Sequence, residues 1–257
     1  MITSEIGHST PEEITLRGKN LATEIIGHKE FVETWFYAAS ARWPTSQEKA
    51  AINAILVCSL DHGLVPSVIA TRMTLLGAPE SIPSAIASGL LGAGSRFLGP
   101  STTVTENFSE WAKDLDDNSD AGAFENRADA IIEEHANTRK IIPGYGHPIH
   151  KDGDPRAEAL RKVARNNGFY KKGWKLADAL QARLMDQGRA LPMNASGGVG
   201  VTICDMALNP DFAVGLSLVG RCAGLMSHIM EERVNPIAQQ IWSLAAQQDS
   251  RVDYGTG

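Results

Sequence analysis

The sequence predicts an all-α protein, and three observations carry that reading. No segment alternates polar and apolar residues over strand length with turn signals on both sides. Apolar residues recur instead at spacings of three and four, as in Ile52, Ile55 and Leu56, or Leu176, Leu180 and Leu184. The segments so marked are separated by glycine and proline punctuation, and several begin with cap residues. A chain of 257 residues with 43% hydrophobic content suits one large or two modest domains with a core, and no internal repeat appears at the common helical periods.

Taken in order, Thr10-Pro11-Glu12-Glu13 offers an N-cap, an early proline and acids. It predicts a helix that Leu21, Ile25 and Ile26 continue to Gly27. Over residues 30–42, Phe31, Trp35 and Phe36 share one face, expected in the core, and Trp43-Pro44 ends the segment. Thr45-Ser46-Gln47-Glu48 is a capping box opening a helix that leads into Asp61-His62. Helices follow over 67–76, closed by Gly77-Ala78-Pro79, and over 81–91, where Ala85, Ala87, Ser88 and Gly89 permit close packing. From Ser101 an acidic segment around Trp111 and Leu115 predicts a solvated helix, and residues 127–138 a further one with Ile131 and Ile132 inward.

Beyond the loop at 143–156, Leu160, Val163 and Ala164 form a helical face that Gly168 closes. Lys171, Lys172 and Lys175 surround Trp174 at the start of the next helix, either as a solvated helix start or as a contact for an anion such as a nucleotide phosphate. Residues 192–200 read as a loop of small residues, and 211–248 as two helices about Pro236. The tail after Asp249 has little to fold with.

A net charge of −6 argues against a nucleic-acid surface, which needs a basic stripe, but leaves phosphate-bearing ligands open. The three cysteines, Cys58, Cys204 and Cys222, have no framework or metal-knuckle spacing and read as reduced core residues of a cytoplasmic protein. No apolar run reaches membrane-spanning length, and residues 1–19 are polar with acids, unlike a signal or transit peptide.

The densest chemistry lies in Pro143-Gly144-Tyr145-Gly146-His147-Pro148-Ile149-His150-Lys151-Asp152-Gly153-Asp154-Pro155-Arg156. Its prolines and glycines predict a loop; Asp154-Pro155 fits an N-cap and first helical position, which puts Arg156 in the first turn with its side chain able to reach back. From composition alone this is either a glycine-proline turn with solvated charges or a site. His147, His150 and Asp154 have the density of a ligand set but not the one-face helical register of a zinc site, so no metal is expected. His8, His28, His135 and His228 read as surface or satisfied core residues.

The string PGYGHPIHKDGDPRA resembles the citrate synthase superfamily signature, close to P-G-F-G-H-R-V-Y-K-x-x-D-P-R-A, without a gap between His147 and Arg156. Four more places, between about Ser46 and Arg233, are similar to citrate synthases, citryl-CoA lyases and the lyase module of ATP-citrate lyase. Asp61-His62-Gly63 resembles the family's Asp-His-Glu, which implies that His62 contacts the oxaloacetate part of the substrate. Gly94-Ser95-Arg96-Phe97 resembles the lyase module's Gly-Asp-Arg-Phe, with Phe97 where synthases place an enolate-stabilising histidine. Asn194-Ala195-Ser196-Gly197 resembles Asn-Val-Asp-Gly, with Ser196 in the place of the aspartate that moves the acetyl proton. Gly220-Arg221 resembles the segment whose arginine grips a carboxylate.

The resemblance implies a helical homodimer with a large domain (1–100 plus 211–257) and an inserted small domain (101–210) that closes on it. Its substrate would be a coenzyme A thioester, cleaved to acetyl-CoA and a 2-oxo acid such as oxaloacetate. His147 would handle the hydroxyl or carbonyl oxygen, Arg156 and Arg221 the carboxylates, and Pro143, Gly144, Tyr145 and Gly146 would face the adenine of CoA. Arg96, Phe97 and Ser196 would complete the site, and Arg233 or Arg251 is available as an arginine lent to a partner subunit. Because serine does not replace a carboxylate base directly, thioester hydrolysis, dehydration or silent binding of a CoA ester stand as alternatives.

Overall fold

The N-terminal segment is a small sheet, not the helix its cap pattern predicts. In the computed structural model, which describes residues 2–94, 98–146, 153–189 and 191–248, β1 (Gly7–Ser9), β2 (Ile14–Leu16) and β3 (Lys19–Asn20) pair antiparallel in chain order. The Thr10 hydroxyl accepts from the backbone N–H of Glu12 and Glu13, so the cap-like sequence closes a hairpin turn. A π-helical turn, Leu21–Ile25, follows under the Asn20 side chain. The Tyr37 hydroxyl donates to Arg17 O (2.8 Å) and Arg17 Nε to Ala38 O (2.9 Å), fastening the sheet to α1, Phe31–Ser40. In α1, Phe36 is fully buried and Trp35 meets Phe212 edge-on at 5.6 Å, but Phe31, expected inward, is 67% exposed, and its neighbour Val32 is the first-turn residue that faces the core.

The predicted capping box opens α2 (Ser46–Leu60): Thr45 Oγ1 accepts from Glu48 N at 3.1 Å, and Glu48 Oε2 from Thr45 N at 2.8 Å. Then come α3 (Pro66–Gly77), α4 (Ile82–Leu91), α5 (Pro100–Trp111) and α6 (Ala121–Thr138). The remainder is α7 (Pro155–Asn166), α8 (Lys172–Asp186), α9 (Ala195–Asp205), α10 (Asp211–Val234) and α11 (Ala238–Gln247). The acidic α5 is amphipathic, not solvated all round: Val104 and Phe108 are fully buried, and Trp111 packs on Phe108 and His135.

Two lysines of the basic patch serve the fold. Lys172 Nζ donates to Leu115 O at 3.0 Å and Lys175 Nζ to Asp117 O, fastening α8 to the turn after α5. Those contacts favour the solvated-helix reading over an anion site. Asp205 holds the same helix from inside, accepting from the N–H of Lys171, Gly173 and Trp174. Burial pushes its carboxyl up to about 6 in spite of those three donors.

Helix α10 corrects the expectation about membrane-spanning length. It is long and apolar enough to cross a membrane, with a mean hydropathy of 1.4 in its most apolar window. Its inner face, carrying Leu216, Arg221, Leu225 and Ile229, packs across α2, α3 and α4 and touches α5. The tight contact with α2 depends on glycine: a Cβ on Gly224 would stand 1.8 Å from Leu60 O. Helix α5 lies on α9, α6 on α8 and α7 on α9, while α7 also meets α2. One continuous core runs from Phe36, Ile52 and Ile55 through Trp174 and Leu180 to Ile203 and Leu216.

Candidate active site

The ends of α2, α7 and α9 and the middle of α10 converge on one cluster of charges. Its floor is a backbone seam between residues 143–146 and 192–197. Asn194 N donates to Gly144 O (2.9 Å), Gly146 N to Pro192 O (2.7 Å), and Asn194 Nδ2 to Gly146 O (2.8 Å). Glycine is required there: Gly144 has φ +89°, and a Cβ on it would come within 2.9 Å of Gly197 Cα. These bonds occupy Gly144 O and both polar backbone groups of Gly146, and Tyr145 turns inward, its hydroxyl donating to Ala177 O at 2.8 Å. What the seam offers a ligand is therefore its remaining surface, including half-buried Pro143.

The loop predicted over 192–200 ends at Asn194. Its Oδ1 caps α9 by accepting from Gly197 N at 3.0 Å, so Ser196 and the glycines after it are helical. Half-buried Ser196 thus sits in the first turn of α9.

Asp154 does what its sequence position predicts, and more. It caps α7 by accepting from Arg156 N (3.0 Å), grips the same guanidinium through Nε (3.0 Å) and Nη2 (2.8 Å), and accepts from Ala195 N (3.0 Å) at the start of α9. Burial opposes its charge, but the Arg156 guanidinium and the two backbone donors hold the carboxyl below the usual carboxylate range. Arg156 is thereby aimed, with a quarter of its side chain still exposed.

Arg221 lies across from it on α10, 5% exposed, with Nε and Nη1 buried and without a hydrogen-bond partner among the described residues. Burial lowers its pKa, Asp61 works against that, and the neighbouring Arg156 adds to it, so the two guanidinium groups feel each other. Among the described residues the ion-pair partner of Arg221 is Asp61, whose Oδ1 is 4.0 Å from Arg221 Nη1. Asp61 is the C-cap of α2; it accepts from Gly63 N at 3.0 Å and from His228 Nε2 at 2.8 Å. Burial would raise its pKa, but the His228 contact and the N–H groups of Gly63 and His62 outweigh it and hold the carboxyl low. His62 follows directly, partly buried in the bend after α2. Cys58, a turn earlier, is a free thiol that burial pushes up to about 11, beside Arg156 and Asp154.

The fold thus brings His62, Arg156, Ser196 and Arg221 to helix ends and faces around one region. Tyr145 lies beneath it, and Arg233 is exposed on the far turn of α10. His147, His150, Arg96, Phe97 and Arg251 lie outside the described residues. Among the described residues no cluster of three His, Cys, Asp or Glu side chains could hold a metal. His228 is the residue that sequence reasoning set aside. It stands seven positions after Arg221, which places both on one helix face, and that spacing was the available signal.

The model of the family described as citrate synthase, C-terminal domain, matches residues 13–242. The chain belongs to the citrate synthase family. It is similar to the structure of citryl-CoA lyase from Hydrogenobacter thermophilus, with 27% identity, a TM-score of 0.81, and coverage of 100% of this chain and 95% of that one. A family-wide fold likeness extends to ATP citrate lyase from Methanothrix soehngenii in complex with citrate and coenzyme A, with 20% identity, a TM-score of 0.75, and coverage of 100% of this chain and 42% of that one. Citrate synthase 2 of Bacillus subtilis (strain 168) is 23% identical over 211 residues, 79% of this chain. The chain spans about half of that curated relative's length, 52%. Fold and family are thereby those of a helical citrate synthase relative.

Proposed function

We propose that this protein acts on a coenzyme A thioester of a polycarboxylic or 2-hydroxy acid, cleaving or forming its carbon-carbon bond in the manner of a citryl-CoA lyase. The products of cleavage would be acetyl-CoA and a 2-oxo acid such as oxaloacetate. The observation that carries the reading is Arg221, a nearly buried guanidinium with two unpartnered nitrogens. Native interiors seldom leave such donors unpaired, and an incoming carboxylate satisfies them. Arg156, held in a fork by Asp154, supplies a second cation beside it, so the site suits an acid with more than one carboxylate.

Cleavage requires a base to take the proton of the tertiary hydroxyl as the carbonyl forms. The electron pair of the broken bond passes to the thioester enolate, which then takes a proton at carbon. His147 is assigned the first role by the motif it occupies. Arg156 and Arg221 hold the carboxylates, and His62 lies at the oxo-acid end. Residues 1–100 with 211–257 and residues 101–210 would close on each other to exclude water from the enolate. Two copies would pair through the apolar outer side of α10, where Met230 is 51% and Val234 87% exposed.

Ser196 favours a second reading. A serine hydroxyl is a poor proton donor or acceptor for carbon near neutral pH, so a CoA-ester enzyme of other chemistry, or a silent binder, would keep the same scaffold. A mass-spectrometric time course with citryl-CoA, run beside His147→Ala and Ser196→Asp, tests both. Acetyl-CoA and oxaloacetate from the wild type but not from His147→Ala support the lyase. An inert wild type beside an active Ser196→Asp variant supports the alternative.

A further inference from the structure

We propose that His228 is a positioning residue that keeps Asp61 off Arg221 and so keeps Arg221 open to a substrate carboxylate. The inference rests on the reading above that Arg221 receives one. Among the described residues, groups from three elements face the imidazole. From α3, Arg72 Nη2 lies 2.7 Å from Nδ1; from the end of α2, Asp61 Oδ1 lies 2.8 Å from Nε2; and Glu231, on α10 itself, has Oε2 3.8 Å from Nδ1. A guanidinium only donates, so Nδ1 accepts, and the ring proton is on Nε2, pointing at Asp61.

Arg72 is itself fixed. It is 1% exposed and donates to Glu232 Oε2 at 2.5 Å and to Glu231, and the other Glu232 oxygen caps α11 by accepting from Ile237 N (2.9 Å) and Ala238 N (2.7 Å). The donor aimed at Asp61 is therefore anchored in the junction of α10 and α11.

The consequence is geometric. Asp61 is pulled by His228 and by Gly63 N, and its Oδ1 stops 4.0 Å from Arg221 Nη1, beyond hydrogen-bond distance. A carboxylate released from His228 would close that gap and occupy the donors a substrate needs. The pair would then be self-satisfied, and the substrate would have to displace it.

The test is calorimetric titration of oxaloacetate and of citrate into the full chain, with circular dichroism showing that each variant is folded. His228→Gln keeps a donor toward Asp61 and is expected within about threefold of wild-type affinity, whereas His228→Leu is expected to bind at least about tenfold more weakly. Adding Asp61→Asn to His228→Leu removes the competing charge and restores affinity to within about threefold, which a purely structural defect would not allow. Equal binding by His228→Leu and wild type, or no recovery in the double variant, overturns the positioning role and leaves the proposed function standing. A wild type that binds neither acid overturns both. If His228→Leu does not fold, the ¹⁵N spectrum of the wild-type histidines decides: a His228 ring protonated at Nδ1 instead of Nε2 overturns the inference, and the Nε2–H tautomer supports it.

Discussion

A single guanidinium geometry separates the two site arginines from ordinary surface cations. Arg221→Lys keeps the charge but loses the planar fork, and oxaloacetate affinity should fall by roughly ten- to a hundredfold in the same titration, with thermal stability little changed. Cys58 offers an independent check on the burial of this region. With its thiol pushed up to about 11, alkylation by iodoacetamide should be slow at pH 8 and still rising at pH 10, unlike an exposed thiol. A rate that levels off near pH 9 would show the region to be open to water. At this scale the sequence revealed Arg156, Asp154 and Arg221 through local spacing and motif. It concealed His228, because the partners of that ring, Asp61 and Arg72, are 167 and 156 residues away in the chain. No window of local pattern contains all three.

The junction of the loop at 143–146 with α9 is the element on which the site stands. Asn194→Ala deletes both the α9 cap and the bond to Gly146 O, and should cost about 1–2 kcal/mol in urea unfolding. Gly197→Ala should cost at least as much, since its Cβ would come within 2.5 Å of Gly144 O, a backbone atom that cannot swing aside. Serine and glycine at 196–200 are weak helix formers, and by propensity alone they read as loop. Packing against α5 and α7 overrides that propensity, and the small residues permit the close approach. A Cβ on Gly200 would meet Ser101 O at 2.6 Å, and one on Gly198 would meet Ala157 Cα at 3.3 Å. The reverse holds at Thr10-Pro11-Glu12-Glu13, where hydroxyl-to-backbone bonds serve a hairpin turn as well as a helix cap, and only the pairing of β1 with β2 distinguishes them.

Across the whole molecule, two buried carboxyls, Asp154 and Asp205, and the exposed Asp61 set opposing trends with pH. Asp154 and Asp61 are held below the ordinary aspartate value of 3.8, so they contribute stability that is present above that value and lost as pH falls through their folded-state pKa values. Asp205 is raised to about 6, so its contribution is present below 3.8 and lost as pH rises through about 6. Melting temperatures should therefore fall as pH drops below 3.8. Between pH 4 and 6 Asp205 should make them decline, a slope that disappears in Asp205→Asn. The seat of α10 on α2 is tested by Gly224→Ala, which should destabilise by about 3 kcal/mol or more by forcing two backbones apart. By itself the sequence determined the helical class, most helix starts and the family, because caps, prolines and hydrophobic spacing act within a few residues and a motif is a local string. Tertiary structure alone decided that glycines at 197–200 are helical, that two lysines of the basic patch bind carbonyls, and that His228 faces Asp61. Each depends on close approach between segments far apart in the chain, where packing and burial override local preference.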